Sequence, residues 1–270
     1  MPARGPSHAY AQPVLRITDA RTGDPVTATP ARRGLTRVEA RVERPDATGL
    51  RVLLTADVLV RALEIGGTPV WTVLTGTEGR ADLRARARTL GIRPFEDERD
   101  SGPGPGLGLG EAQVLSVRAR TDGPPGSAST ADEAAGVLRV EVAPADIGSS
   151  VAQDDESASA LRLALLARPR AEELRLDAAD LADAEDQLKH WRGAVATWAT
   201  RPSGPIPDPV REQLRAAWED DLDVPAVLGV LRKVETSGTV PDGARFETYA
   251  YADRLLGLEL TRDIGRGAPA

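Results

Sequence analysis

Side chains that commonly carry out chemistry are scarce in this sequence of 270 residues. The sequence has no cysteine, which removes disulfides, thiolate nucleophiles and zinc sites built from thiolates. The two histidines are His8, in the N-terminal lead, and His190, which lies beside the apolar stripe of a predicted helix. A surface position is therefore favoured over a catalytic role for His190, and the GxSxG turn of serine hydrolases does not occur. These features disfavour nucleophilic and thiolate–metal chemistry.

A phosphate-binding loop is the next hypothesis, because residues 101–110 read Ser-Gly-Pro-Gly-Pro-Gly-Leu-Gly-Leu-Gly. Neither the GxGxxG spacing nor the GxxxxGK[ST] spacing occurs there, and no lysine is near. We therefore predict a flexible connector at this position rather than a nucleotide loop. A second connector of the same kind is predicted over 121–130.

The charge balance limits the partners that the protein is expected to have. The formal net charge is −7 and the isoelectric point is about 5.1, and an acidic surface repels phosphate backbones. Two acidic runs, 154–156 and 219–221, are typical of solvated faces. No apolar run is long enough to cross a bilayer, and residues 1–12 lack the apolar stretch of a signal peptide. The sequence thus predicts a cytoplasmic protein with no membrane partner and with tRNA as a disfavoured partner.

Strands and helices alternate in the first half of the chain. The apolar patterns predict the order strand, strand, helix, strand, helix, strand, strand, over 14–18, 35–42, 50–64, 69–74, 79–90, 112–118 and 137–142. Strand–helix–strand units are typical of a parallel sheet. We therefore expect a reduced Rossmann-like α/β domain of the HUP type over 13–150, after a disordered lead over 1–12.

The second half of the chain is predicted to be an all-α helical bundle domain over 151–270. One helix is expected over 157–166, and another begins near Asp177 and carries a continuous heptad seam of apolar positions. The seam positions are Leu181, Ala184, Leu188, Trp191, Val195 and Trp198. Asp208 and Asp223 are expected to cap two further helices, since each precedes a proline that fits a first helical turn.

Open α/β folds bind ligands in the crevice outside the carboxyl ends of their strands. The residues expected to line that crevice are Thr48, Gly49, Arg51, Thr75, Thr77 and Glu78. In an enzyme, Arg51 would hold a phosphate, and Asp57 or Glu78 would bind a cation or a substrate amine. The simpler interpretation, which we favour for each residue alone, is that they are turn and cap residues. Asp57 then pairs with Arg61 at the i,i+4 spacing of helical ion pairs.

Five stretches, in chain order, resemble the class I cysteine ligases. That group includes cysteinyl-tRNA synthetase and the cysteine:glucosaminyl-inositol ligase of mycothiol synthesis. The stretches are LRITDARTGD from Leu15, GLRVLLTADVLVR from Gly49, GTPVWTVLTGTE from Gly67, ALRLALLA from Ala160 and AWEDDLDVPAVL from Ala217. In the same order they resemble the N-terminal strand and turn, the helix after the HIGH motif, the strand ending in Asn-x-Thr-Asp, the helix after the KMSKS loop and an acidic-Pro helix start. The helical stretch 160–198 looks nearer to the mycothiol ligase.

The resemblance implies an ancestor that formed an adenylate from ATP, but the groups that perform this chemistry are replaced. The HIGH histidines of the family match residues 46–49, Asp-Ala-Thr-Gly, and the KMSKS lysines match residues 146–150, Asp-Ile-Gly-Ser-Ser. Ser149 and Ser150 join the candidate crevice on this basis. The zinc ion that selects cysteine in the family is held by Cys, His and Glu, and this set has no counterpart here.

Three functions remain open at this point. The first, which we favour, is a pseudo-ligase without aminoacylation activity that binds a small molecule or a protein and acts as a regulator. It needs no cofactor, with ATP retained as a candidate ligand. The second is an ATP-dependent cysteine or amino-acid ligase with altered chemistry, although Arg51 and Arg61 do not replace an ordered lysine–histidine pair. The third is a tRNA-binding helper, which the acidic charge and the missing anticodon-binding extension disfavour.

Overall fold

A computed structural model describes residues 14–30, 34–76, 80–97, 111–120, 137–148 and 157–266. The predictions made for the lead 1–12 and for the connectors 101–110 and 121–130 lie outside these residues. Four candidate site residues also lie outside them, namely Thr77, Glu78, Ser149 and Ser150. The described part contains nine strands and seven helices.

The first half of the chain folds around a parallel sheet that an antiparallel hairpin precedes. The hairpin strands are β1 (Arg16–Thr18) and β2 (Pro25–Thr27). The sheet strands are β3 (Leu35–Arg41), β4 (Val70–Thr75), β5 (Glu96–Asp97), β6 (Glu111–Ala119) and β7 (Leu138–Val142). All five are parallel, in the spatial order β5-β4-β3-β6-β7. The predicted Rossmann-like fold is confirmed, and the strand order reverses at β3, where such folds form their crevice.

Two helices connect the strands on one side of this reversal. Helix α1 (Ala47–Ile65) follows β3 and leads to β4, and helix α2 (Arg80–Thr89) lies between β4 and β5. Nearly every side chain of α1 from Gly49 to Leu63 is buried. A helix that is buried on all sides must be covered on all sides, and α1 packs against the sheet, α2 and the helical half of the chain.

The two faces of the sheet differ in chemistry. The face against α1 carries Val38, Ala40 and Leu74, which are at most 2% exposed. Register partners of parallel strands share a face, so the opposite face is mainly polar, although Trp71, Val73 and Val114 also belong to it. Its polar side chains are Arg37, Glu39, Arg41, Thr75, Ser116, Arg118, Arg139 and Glu141. Parallel sheets usually bury apolar side chains on both faces, and the polar face is therefore an unusual feature of this fold.

Five helices make up the second half of the described chain. They are α3 (Ala158–Leu166), α4 (Ala178–Trp198), α5 (Asp208–Glu219), α6 (Val224–Thr236) and α7 (Asp242–Leu256). The six seam positions predicted for α4 are the buried residues of that helix, so the seam is confirmed as core. The side chain of His190 is 62% exposed, as its place beside the seam predicted.

Two details of the helical half depart from the sequence predictions. Asp223 caps α6 as expected, because its side chain accepts a hydrogen bond from Ala226 N at 2.9 Å. Asp208 is not a cap but the first residue of α5, and Pro207 holds the cap position. The prediction was wrong by one residue because a proline such as Pro209 fits more than one position of the first helical turn.

A short parallel pair of strands connects the two halves. Its members are β8 (Ala145–Ile147) and β9 (Leu174–Leu176). One apolar core extends from the sheet through α1 into the helical half, and α1 contacts both β8 and α7. None of the described helices is long and apolar enough to span a membrane.

Candidate ligand crevice at the carboxyl end of the sheet

The N-terminus of α1 faces the carboxyl end of the sheet, where its free N–H groups offer a binding site for an anion. That place is occupied by the protein's own carboxylate. Asp46 caps the helix by accepting a hydrogen bond from Gly49 N at 2.9 Å. Arg44 lies beside it, with its Nε 3.3 Å from the Asp46 Oδ2 atom. Arg86 of α2 donates to Pro45 O at 3.2 Å and so lies at the same edge.

The first turn of α1 is also tied to the strand that follows the sheet. Thr48 Oγ1 donates to Ala145 O at 3.2 Å and accepts from Ala145 N at 3.0 Å. Gly49 is packed so closely that a Cβ atom there would lie 2.3 Å from Arg44 O and 2.7 Å from Val42 Cγ1. These two residues therefore close the start of the helix against the strand ends.

Replacing Gly49 by alanine should destabilise the protein by about 1–3 kcal/mol, because the added methyl group overpacks a site bounded by backbone. Urea denaturation of the variant measures the effect. The matched control is Gly193→Ala in α4, where a Cβ atom would meet nothing within 4 Å. The control should gain about 0.5–1 kcal/mol from helix propensity. Equal changes in the two variants would contradict the close packing at Gly49.

Arg51 lies one turn further along α1 and is 2% exposed. Its Nη1 donates to Ala143 O at 3.1 Å, to Pro144 O at 3.5 Å and to Glu172 O at 2.6 Å. Its Nη2 donates to Pro169 O at 2.7 Å. Burial lowers the pKa of the guanidinium to about 10, so the side chain stays charged at neutral pH. Both terminal nitrogens thus bind backbone carbonyls of the segments around β8 and β9.

The space beside Arg51 is small. The cavity that it lines together with Leu54, Val58 and Leu165 has a volume of about 30 Å³. That volume holds about two water molecules and is far too small for a nucleotide. This cavity lies between α1, α3 and the start of α6, so its size limits what can bind beside Arg51, whereas the first turn of α1 is held against the strand ends by Thr48 and Gly49.

Asp57 is the centre of a buried cluster of charges. Its carboxylate lies 2.7 Å from Arg162 Nη2 and 2.8 Å from Arg61 Nε on one oxygen, and 3.1 Å from Arg93 Nε on the other. Burial alone would raise the pKa of this carboxyl, but the charges of Arg162 and Arg61 outweigh it and hold the pKa below its ordinary value. The Asp57–Arg61 pair predicted from the i,i+4 spacing is present, in the interior rather than on the surface.

Arg162 was not predicted and is the most deeply buried member of this cluster, with no exposed surface. Its Nε donates to Leu256 O at 2.6 Å and its Nη1 donates to Leu90 O at 3.1 Å. One guanidinium therefore joins α3 to α1 and to the ends of α2 and α7. The signal in the sequence is a single charged residue inside the apolar run from Ala160 to Ala167.

The other side of the crevice has a different character. Thr75 ends β4 and is 6% exposed, and its Oγ1 has no hydrogen-bond partner among the described residues. The sheet register places Arg41 of β3 beside Thr75, and Arg118 of β6 beside Arg41. Arg41 is exposed. An unpaired buried hydroxyl and two adjacent arginines thus share the polar face at the carboxyl end of the sheet.

The described candidate residues fall into three groups. Thr48, Gly49 and Arg51 lie together at the start of α1. Thr75 lies at the end of the neighbouring strand on the polar face. Asp57 lies further along α1 and faces Arg162 rather than the strand ends. Sequence reasoning missed Arg41 and Arg162, because their positions depend on strand register and on long-range packing.

Sequence comparison finds ligases among the relatives of this chain. The chain is 41% identical over 106 residues to the L-cysteine:1D-myo-inositol 2-amino-2-deoxy-alpha-D-glucopyranoside ligase of Streptosporangium roseum, a match that covers 37% of this chain and 25% of the ligase. It is 28% identical over 231 residues to the ligase of the same name from Cellulomonas flavigena, which covers 80% of this chain and 54% of that ligase. This chain is related to class I cysteine ligases. The predicted resemblance is thereby confirmed.

The similarity to these ligases covers only part of their length. A third ligase of the same name, from Streptomyces griseus, is 34% identical over 116 residues, or 42% of this chain and 27% of the ligase. This chain thus matches between about a quarter and about half of the length of these ligases. No family model matches the chain.

Structure comparison supports the same fold. Arginyl-tRNA synthetase from Plasmodium falciparum superposes with a TM-score of 0.54, covering 86% of this chain and 77% of that one. The two sequences are 7% identical, so the likeness concerns the fold alone. It agrees with a synthetase-like arrangement of a parallel sheet and a helical half.

Proposed function

We propose that this cysteine-ligase relative is a binding protein that does not form an aminoacyl adenylate and that acts as a regulator of a partner or pathway. The observation that carries the proposal is the Asp46 carboxylate on Gly49 N, at the helix terminus where a nucleotide phosphate would otherwise accept hydrogen bonds. A phosphate brought to that place meets a negative charge at hydrogen-bond distance from its donors.

The chemistry of adenylation supports the same conclusion. Adenylate formation builds negative charge on the leaving pyrophosphate, and positioned donors stabilise that charge by several kcal/mol. Arg51, the cation nearest the helix terminus along α1, donates to four backbone carbonyls instead. The segment 146–150 contains no lysine that could take its place.

The test is ATP–pyrophosphate exchange with cysteine, with an active ligase of the same kind as positive control. We expect exchange no greater than the background without protein. An Asp46→Ser variant keeps a helix cap and removes the charge. It should bind ATP more tightly than the wild type in a thermal-shift titration, yet it should still give no exchange.

Three other outcomes decide against the proposal. Exchange with cysteine or another amino acid above background would establish a ligase with altered chemistry. Retardation of tRNA in a gel at moderate salt would establish a tRNA-binding helper, despite the acidic charge of the chain. Unchanged ATP affinity in the Asp46→Ser variant would remove the charge argument on which the proposal depends.

A further inference from the structure

The row of side chains at the carboxyl end of the sheet has an unbalanced charge. Across β4, β3, β6 and β7 the register partners are Thr75, Arg41, Arg118 and Glu141. Adjacent strands lie about 4.8 Å apart, so Arg41 and Arg118 start from neighbouring positions on one face. Like charges directly opposite one another are unfavourable. By formal charge the row holds two arginines and one glutamate, and Arg118 Nη2 also donates to Ser116 Oγ at 3.2 Å.

Two observations identify the place where a counter-ion is missing. Arg41 is exposed and has no ion-pair or hydrogen-bond partner within the described ranges. Thr75, its partner on β4, is 94% buried with an unpaired Oγ1 atom. Burying a hydroxyl without a partner is costly, and such a group in a native fold calls for an explanation. A ligand that accepts hydrogen bonds from both Arg41 and Thr75 explains both observations.

We infer that Arg41 and Thr75, with Arg118 beside them, form a binding site for a small anion that carries a carboxylate or phosphate group. The planar guanidinium group of arginine can donate to two oxygens of either group at once, and the Thr75 hydroxyl donates to a further oxygen. The site lies on the polar face of the sheet, apart from the helix terminus that Asp46 occupies. Because this site gives the proposed binding function its class of ligand, the inference rests on that proposed function.

The test compares anion titrations of matched variants by thermal shift, with inorganic phosphate in one arm and succinate in the other. Chloride is used to hold the ionic strength constant. Arg41→Gln should weaken the saturable part of the response about tenfold or more, since it removes a hydrogen bond to a charged group. The matched control is Arg88→Gln, which removes an exposed arginine of α2 outside the row. Because phosphate also stabilises proteins non-specifically, the difference between the two variants is the quantity that counts.

Thr75→Val separates a ligand-binding role from a structural one. The substitution removes an unpaired hydroxyl and keeps the shape, so the variant without anion should melt at the same temperature as the wild type or above it. Its anion response should be weaker. A lower melting temperature with an unchanged anion response would show that Thr75 has a structural partner, and this would overturn the site.

The two arms assign the ligand chemistry. A saturable response to phosphate or to succinate that Arg41→Gln removes supports the site and names the anion. No saturable response in either arm, or equal losses in Arg41→Gln and Arg88→Gln, overturns it. Pyrophosphate exchange by the wild type would remove the proposed function while leaving this comparison unaffected, so the two failures are distinguishable.

Discussion

Replacing Arg162 by methionine should lower the free energy of unfolding by about 3–5 kcal/mol, the range measured when one partner of a buried ion pair is removed. Arg162 has no exposed surface and lies 2.7 Å from the Asp57 carboxylate. The variant leaves Asp57 with two arginines instead of three. It also leaves Leu256 O and Leu90 O without the donors that they have at 2.6 and 3.1 Å.

Urea denaturation with matched m-values measures this loss. The control is Arg168→Met, an exposed arginine just beyond α3, which should change stability by no more than about 0.5 kcal/mol. A loss below about 1 kcal/mol for Arg162→Met would mean that the charge cluster contributes little.

The pH dependence of the same variant isolates the ion pair from the carbonyl contacts. The pKa of Asp57 is lowered in the folded state, so its contribution is present above the unfolded pKa of about 3.9 and is lost as the pH falls through the folded value. The stability difference between the wild type and Arg162→Met should therefore shrink below about pH 4. The part of this stability difference that persists in acid comes from the hydrogen bonds to Leu256 O and Leu90 O.

The long elements were predictable because their sequence patterns are local. The seam from Leu181 to Trp198 repeats over 18 residues, and its six positions are the buried residues of α4. The alternation of strands and helices up to α2 likewise predicted the parallel sheet. By contrast, β8 and β9 have three residues each, which is too few for a periodic pattern.

The candidate site was predictable only in its location. The carboxyl ends of the strands followed from the fold class, and residues 46–49 were matched to the HIGH histidines of the class I cysteine ligases. The partners of Arg51 lie 92 to 121 residues away in the sequence, and Asp57 is 105 residues from Arg162. The adjacency of Arg41, Thr75 and Arg118 follows from strand register, which a single sequence does not specify.

Arg51→Met is the prediction that separates the structural use of this arginine from the ligand-binding role that its position suggests. The variant should lose about 2–4 kcal/mol of stability, because the backbone carbonyls of Ala143, Glu172 and Pro169 lose a charged donor. Arg175→Met, an exposed position in β9, is the matched control and should be nearly neutral.

The anion titration then decides between the two roles of Arg51. If the guanidinium only joins α1 to the segments around β8 and β9, the folded Arg51→Met variant should keep the anion response of the wild type, whereas Arg41→Gln should lose it. The opposite pattern, a stable Arg51→Met protein without an anion response, would place the ligand at the first turn of α1. Because Asp46 holds a negative charge at that turn and the four carbonyls already accept from Arg51, electrostatics favours the polar face of the sheet.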